Sequence, residues 1–385
     1  MFLMLTTSFF KFKLICNLTK NGGIPMNMDT EVRPGVNRYI TGENALEELP
    51  YYLSEYTTVA VVTGEVSFEK FKAYYTHLFD YPTFIYDGSA SEEDGKRLAE
   101  EIGQTDVVIG IGGGRVLDTA KIAAEYLKSE LILIPTLISN CAPYTPVAAV
   151  YHPDHSFKEI GYFTYSASLL FVDWTFLLQT PKEYFIAGIG DTLAKWYEIE
   201  GITRNLSENE QTAFIRLGIA SAKEILAILL KDSEKALEDL DAQIVSPAFG
   251  RVADTIIALA GTVGGFAAKF GRSAGAHAVH NGLSYIPSTH EILHGAKVAY
   301  GILVQLAYTN DFDEINELLP FYRSIGLPTY LSELNVDEEE VFLLKQAADF
   351  AAGKQESFQM IDEAISAQQV LDAIYAVENR EHAKV

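Results

Sequence analysis

From Thr57 to Thr136 the chain alternates short β-branched runs with amphipathic stretches, and this alternation constrains the fold more than any other feature. Residues 57–64 (TTVAVVTG), 82–88 (PTFIYDG), 106–114 (DVVIGIGGG) and 131–136 (LILIPT) read as strands. Residues 67–79, 91–103 and 115–128 read as helices between them. Continuous apolar strands alternating with helices of this length predict a parallel sheet covered on both faces. After Thr136 the texture changes. Residues 147–160 (VAAVYHPDHSFKEI) predict a hairpin turning at Pro153-Asp154, and 168–174 (SLLFVDW) a further buried strand. Beyond Pro181 helical spacing takes over, in 208–232, 253–270, 338–353 and 366–379. A boundary near 180–185 is therefore expected, between an α/β domain (31–182) and an all-α domain (183–385).

Two domains also suit the length, since 385 residues exceed one ordinary core. A net charge of −23 and a pI near 4.7 argue against nucleic acid or an anionic membrane as partner. Phosphates would need backbone amides and helix ends on so acidic a chain. Two cysteines, Cys16 and Cys141, cannot build a disulfide framework, so the reducing cytoplasm is the expected compartment. The apolar start, MFLMLTTSFFKFKLICNLTK, is interrupted by Lys11 and Lys13 and lacks a small-residue cleavage site. No stretch reads as a membrane span. Residues 1–30 are therefore expected to be a poorly ordered extension or a mis-assigned start, with Met26 or Met28 as the alternative start.

Gly112, Gly113 and Gly114 directly follow a strand and precede a helix beginning near Arg115. Amides there can approach a pyrophosphate closely, and the helix N-terminus adds partial positive charge. Gly110 and Gly112 begin like G-x-G-x-x-G without completing it; the plain alternative is a tight turn. Residues 134–136 (IPT) end the next strand at the carboxyl edge, where such sheets bind ligands.

Residues 271–300 (GRSAGAHAVHNGLSYIPSTHEILHGAKVAY) hold four of the eight histidines: His277, His280, His290 and His294. Asn281-Gly282 is a turn signal, and Pro287 prevents one straight helix. Ser288 with Glu291 fits a capping box, predicting a new helix that carries His290 and His294. Imidazoles from two neighbouring helices are what a divalent metal with an open position requires. By spacing alone His290 and His294, at i and i+4, are the obvious pair; the plain alternative for each is a surface or hydrogen-bonded helix residue.

GIGGGRVLDTAK followed by IPT, then GIGDTLAKW, AHAVHNGL and HGAKVAYG, together resemble the iron-containing alcohol dehydrogenase superfamily, and more closely its glycerol dehydrogenase branch. The resemblance spans roughly residues 33 to 380, with four motifs in the family's order. It implies an α/β dinucleotide-binding domain with a parallel sheet joined to an all-α domain, the dehydroquinate synthase-like architecture. It further implies a divalent metal held by Asp191, His277 and His294, zinc favoured over iron, because Lys195 stands where iron-dependent members often have a further histidine. Asp191 read alone could be only a helix N-cap or first-turn residue. An alcohol bound at such a metal loses its proton more easily and passes hydride to the nicotinamide of NAD or NADP. The matching cofactor positions are Gly112, Gly113, Gly114, Arg115 (usually Lys), Val116, Thr136, Ser139, Thr145, Val147 and Tyr151. His280 shares a face with His277 and is the candidate proton relay or outer partner. Asp118 is expected to hold the glycine turn or cap its neighbours rather than touch substrate.

Two departures bear on specificity. The family's S-x-D-A-P segment reads Ser139-Asn140-Cys141-Ala142-Pro143, so a thiol replaces the carboxylate that contacts the polyol. That change disfavours glycerol and favours a 2-oxo or 2-hydroxy acid. Cys141 as a catalytic nucleophile is the sharper reading, but it lacks a visible histidine partner. At the end of the first strand, Glu65 would imply NAD, whereas Gly64 leaves room for the phosphate of NADP. A dehydroquinate synthase-like lyase or a polyol-phosphate dehydrogenase would need basic residues, for which Lys195, Lys269, Arg272 and Lys297 are the candidates. A non-enzymatic nucleotide-binding protein is the remaining alternative. The expected partners are a small-molecule substrate and further copies of the chain, as a dimer or larger ring.

Overall fold

The computed structural model of the protein describes residues 32–337 and 340–380. The expected extension, with Cys16 and the alternative starts, lies outside them. β1 (Arg38–Gly42), β2 (Val59–Thr63), β3 (Thr83–Ile85), β4 (Val107–Gly112) and β5 (Glu130–Pro135) alternate with α1 (Leu49–Leu53), α2 (Glu65–Tyr74), α3 (Glu92–Ile102) and α4 (Gly114–Leu127). A hairpin of β6 (Val147–Tyr151) and β7 (Phe157–Tyr162) stands apart as a two-stranded sheet. β8 (Leu169–Asp173) returns to complete a six-stranded sheet in the order β1-β8-β5-β4-β2-β3, with every pair parallel.

Side chains alternate between the two faces of this sheet, as a strand period of two requires. Val62, Val108, Leu133, Leu170 and Val172 belong to a core that continues into the helical half. Val61, Ile109, Ile111, Ile132, Ile134 and Phe171 face a second core with Leu46, Leu49 and Phe71. Both faces are apolar, so the central strands read as unbroken hydrophobic runs rather than alternating ones. β1 is the strand that sequence periodicity does not announce: it is an edge strand of partly exposed residues ending at Gly42.

The sheet order places a topological switch between β2 and β4. β2 connects onward to its neighbour β3 on one side, and β4 to β5 on the other. Open α/β sheets bind ligands at the carboxyl ends of strands at such a point. The glycine turn Gly112–Gly114 sits there.

After α5 (Trp174–Leu177) the chain is helical: α6 (Lys182–Thr203), α7 (Ala213–Ala242), α8 (Pro247–Asp254), α9 (Ala260–Ala267), α10 (Gly275–Leu283), α11 (His294–Tyr308), α12 (Phe312–Ile325), α13 (Leu344–Ala351) and α14 (Ala367–Glu378). α7 starts later than its apolar spacing predicts, because the Thr212 hydroxyl caps it by accepting from the Ile215 amide, and it runs on to Ala242. α8 and α9 are joined through a π-turn at Thr255–Leu259. Contrary to the sequence reading, the resulting helical run Pro247–Gly271 is long and apolar enough to span a bilayer. Over half of it is buried inside the protein, which is how a core helix passes the same test.

The histidine-rich stretch differs from expectation at two points. Asn281-Gly282 is no turn; both residues lie inside α10. Gly282 is there because the backbone of Ala347 crosses so closely that a Cβ would lie 2.2 Å from its carbonyl oxygen. The Ser288 capping box does not form either. A single 3-10 turn occupies Pro287–Thr289, Ser288 Oγ is buried without a partner, and the new helix begins only at His294.

Candidate metal centre and cofactor cleft

Three helices bring Asp191, His277 and His294 to one point. Asp191 is buried on α6, His277 sits on the first turn of α10, and His294 opens α11. Nε2 of His277 lies 3.3 Å from Asp191 Oδ1, and Nε2 of His294 lies 3.2 Å from the same oxygen. The approach of α11 to α6 depends on Gly295, whose Cβ would stand 1.8 Å from the Ala187 carbonyl oxygen.

The donor set fits a divalent cation on an observation independent of motif. Asp191 Oδ1 is buried and makes no properly aligned hydrogen bond, although two imidazole nitrogens face it. His277 Nδ1 is 2.8 Å from Glu198 Oε2, and an ionised carboxylate only accepts, so Nδ1 carries the hydrogen and the Nε2 lone pair points at Asp191. A buried carboxylate facing two imidazole nitrogens fits a cation between them. A proton is the lesser substitute. Burial alone would lower the His277 pKa, but Glu198 and Asp191 outweigh it and raise it to about 9. Asp191 is held well below the ordinary carboxylate range by the two imidazoles, against the opposing effect of burial. One carboxylate and two imidazoles leave a tetrahedral ion one open position.

Glu198 is a candidate functional residue that motif reading missed. It is buried, accepts from the amides of Ala274 (2.6 Å) and His277 (3.0 Å), and orients the His277 ring. The available signal was spacing. Asp191, Lys195 and Glu198, at i, i+4 and i+7, line one stripe of α6. Lys195 donates to the Arg272 carbonyl at 2.8 Å, tying the approach to α10 to the same stripe.

His280 does not face Asp191. Its Nε2 lies 3.0 Å from His294 Nδ1 and its Nδ1 2.9 Å from Asn281 Oδ1, which makes it an outer partner of His294. His290 is exposed and outside the cluster, with Nε2 3.1 Å from the Ser284 carbonyl. The i, i+4 pairing of His290 with His294 is thus undone, because the segment between them is a turn rather than a helix.

The remaining sequence-selected residues gather at the sheet edge. Gly112 ends β4, Gly113 precedes α4 with no side-chain cap, and Gly114, Arg115 and Val116 form its first turn. A Cβ on Gly112 would strike Val116 at 2.5 Å, whereas on Gly113 and Gly114 the nearest atoms are 3.5 and 3.4 Å away. The fold itself therefore demands glycine only at the first of the three, and the other two leave open backbone at an uncapped helix N-terminus. Thr136 donates its amide to the Gly112 carbonyl (3.1 Å). The Arg115 guanidinium lies over the Tyr151 ring at 4.7 Å. Gly64 closes β2 beside Val116, while Glu65 is exposed at the start of α2.

The segment carrying Ser139, Cys141, Thr145 and Val147 is pinned by a buried ion pair. Lys121 donates to Asp118 (2.8 Å) and to the carbonyls of Ala142 and Val147 (2.7 Å each), and Asp118 accepts from the Ala149 amide (3.0 Å). Asp118 thus holds the 142–149 segment through Lys121 and the Ala149 amide, rather than the glycine turn expected of it. The Thr145 amide donates to the Cys141 carbonyl (3.2 Å), and Ser139 packs against Gly188, one helical turn before Asp191. Burial pushes the Cys141 thiol up; the Lys195 ammonium opposes this and Asp191 adds to it.

Comparison with known proteins places this geometry in a family. A family model described as iron-containing alcohol dehydrogenase matches residues 36–174. Hydroxycarboxylate dehydrogenase A of Escherichia coli K12 is 42% identical over 254 residues, 66% of this chain and 70% of that protein. Glycerol dehydrogenase of Thermotoga maritima is 32% identical over 361 residues, 91% of this chain and 96% of that protein. The crystal structure of a probable glycerol dehydrogenase from Sinorhizobium meliloti 1021 superposes with a TM-score of 0.81 at 26% identity, covering 92% of this chain and 100% of that one. The chain belongs to the iron-containing alcohol dehydrogenase superfamily, in its glycerol dehydrogenase-like branch, and is a dehydrogenase of small alcohols or hydroxy acids.

Proposed function

We propose that the protein transfers hydride between NAD(P) and a small 2-oxo or 2-hydroxy acid, using a divalent metal, zinc in preference to iron, held by Asp191, His277 and His294. The observation that carries the substrate class is Cys141. Its half-buried thiol is kept neutral where the polyol-binding branch has a carboxylate, and Lys195, Asp191 and Lys121 are its charged neighbours. A substrate carboxylate meets no repulsion from that position. The 42% identity to a protein named hydroxycarboxylate dehydrogenase A supports the same class. A neutral thiol is a poor nucleophile, so Cys141 lines the pocket in this reading rather than attacking substrate.

In this proposal the amides of Gly113, Gly114, Arg115 and Val116 receive the pyrophosphate at the end of α4, with Thr136, Ser139, Thr145, Val147 and Tyr151 lining the rest of the cofactor cleft. A metal at the three-residue cluster would supply Lewis acidity that eases loss of the hydroxyl proton, while the nicotinamide exchanges hydride. Exposure of Glu65 and the small Gly64 at the end of β2 leave both NAD and NADP within the proposal. Residues 31–182 would form the cofactor domain and 183–385 the metal domain, working as a homo-oligomer in the reducing cytoplasm. A lyase or a polyol-phosphate dehydrogenase is less well supported, because two of the basic residues it would use are already engaged. Lys297 donates to Ser284 (2.9 Å) and Thr289 (3.3 Å), and Lys195 to Arg272.

Cys141→Asp tests the substrate class. A like charge about 4 Å from the substrate carboxylate costs about 4 kcal/mol at an effective dielectric constant of about 20. The variant should accordingly lose up to about a thousandfold in kcat/KM for 2-oxo acids and gain toward vicinal diols. An unchanged substrate profile would remove Cys141 from the argument.

A further inference from the structure

The two metal-facing histidines are oriented by different kinds of partner. His277 leans on a buried carboxylate, Glu198. His294 leans on a neutral imidazole, the first link of a chain that crosses three segments and ends on a carboxylate. Its Nδ1 lies 3.0 Å from His280 Nε2, His280 Nδ1 lies 2.9 Å from Asn281 Oδ1, and Asn281 Nδ2 donates to Glu356 Oε2 at 2.9 Å.

Donor and acceptor capacities fix the direction of every link. Flipping the Asn281 amide would set its carbonyl oxygen against the Glu356 carboxylate, so Glu356 holds Asn281 Oδ1 toward His280. His280 must then carry its hydrogen on Nδ1, which leaves Nε2 as an acceptor. His294 in turn donates from Nδ1, and its Nε2 lone pair is directed at Asp191. Ser284 does not compete: its hydroxyl donates to the His280 carbonyl (2.9 Å), accepts from Lys297 (2.9 Å), and lies 3.5 Å from His280 Nε2. The support matters because the His294 side chain is 49% exposed, whereas that of His277 is 16% exposed. Water can reach His294 and would otherwise satisfy either nitrogen.

We propose that Glu356, Asn281 and His280 form a positioning relay that sets the tautomer and ring direction of His294, and that this relay contributes to divalent-metal affinity. The inference rests on the metal reading above. His280 acts through His294 and is a positioning residue rather than a catalytic one.

The test is competition titration with Zn2+ on the full-length, chelator-stripped protein, with thermal unfolding of the same stripped samples. Loss of an outer partner typically costs about 10–100-fold in metal affinity, and His280→Leu should fall in that range. His280→Gln should recover most of the loss, because its side-chain carbonyl can take the acceptor place of Nε2. The stripped forms of both variants should unfold alike. Wild-type affinity in His280→Leu, with binding abolished in His277→Ala, would overturn the relay while leaving the metal site standing. Equal weakness of the Leu and Gln variants would overturn it too, since space-filling rather than hydrogen bonding would then be at issue. Absence of zinc binding by the folded wild type would instead strike the metal reading itself.

Discussion

Glu198 controls His277 through three contacts at once: the ring nitrogen and the amides of Ala274 and His277. Glu198→Gln keeps an acceptor for the ring but removes the charge, and zinc affinity should drop by about 10–100-fold in competition titrations. The same residue sets a pH signature of the metal-free protein. The folded pKa of His277 is raised from 6.5 to about 9. Stability from its imidazolium is therefore fully present below about 6.5 and is lost as pH rises through about 9. Differential scanning calorimetry of the stripped protein should show the unfolding midpoint falling across that window, with zinc-loaded protein failing to follow. A flat profile in the stripped wild type would contradict the assigned ion pairing. At this scale the family resemblance singled out Asp191, His277 and His294, which lie together in the structure. It could not rank Glu198 or Glu356, because an outer partner is defined by a hydrogen bond across the fold rather than by spacing.

The site is assembled by close helix crossings, with α6 carrying Asp191, α10 carrying His277 and α11 starting at His294. Gly295 sets the α6–α11 approach. Gly295→Ala introduces a methyl group 1.8 Å from a carbonyl oxygen, so the helices must part. Overpacking of this kind costs about 1–3 kcal/mol, occasionally more. We expect a lower unfolding midpoint together with a loss of zinc affinity larger than that of His280→Leu, read in the same titration; unchanged affinity would show that the helix spacing does not govern the ligand set. Helices and strands were legible where apolar periodicity was long, as in β4, β5 and α4. Local signals misled where tertiary packing overrode them. Asn281-Gly282 looks like a turn but lies inside α10, where the passing backbone of Ala347 leaves room only for glycine at 282, and Ser288 looks like a cap but lies in a 3-10 turn with its hydroxyl unpartnered.

Across the whole molecule one core runs without interruption from Val62 and Leu133 on the sheet to Val298, Leu303 and Val377 in the helices. That continuity couples the sheet edge bearing Gly112–Gly114 to the helices bearing Asp191, His277 and His294. The parallel sheet was readable from alternation, and the helical half from helical spacing. The strand order, with its switch between β2 and β4, was not, because adjacency in a sheet leaves no mark on local periodicity. The proposal that this arrangement works as a metal-dependent dehydrogenase of 2-oxo and 2-hydroxy acids is tested most directly by one assay. NADH and NADPH oxidation with 2-oxo acids, ketones and hydroxyacetone should be followed before chelation, after chelation and after zinc or iron is restored. The expected result is loss of 2-oxo acid reduction on chelation, recovery with zinc, and no activity in His277→Ala under any condition. Activity that is indifferent to chelation, or that survives in His277→Ala, would contradict the account.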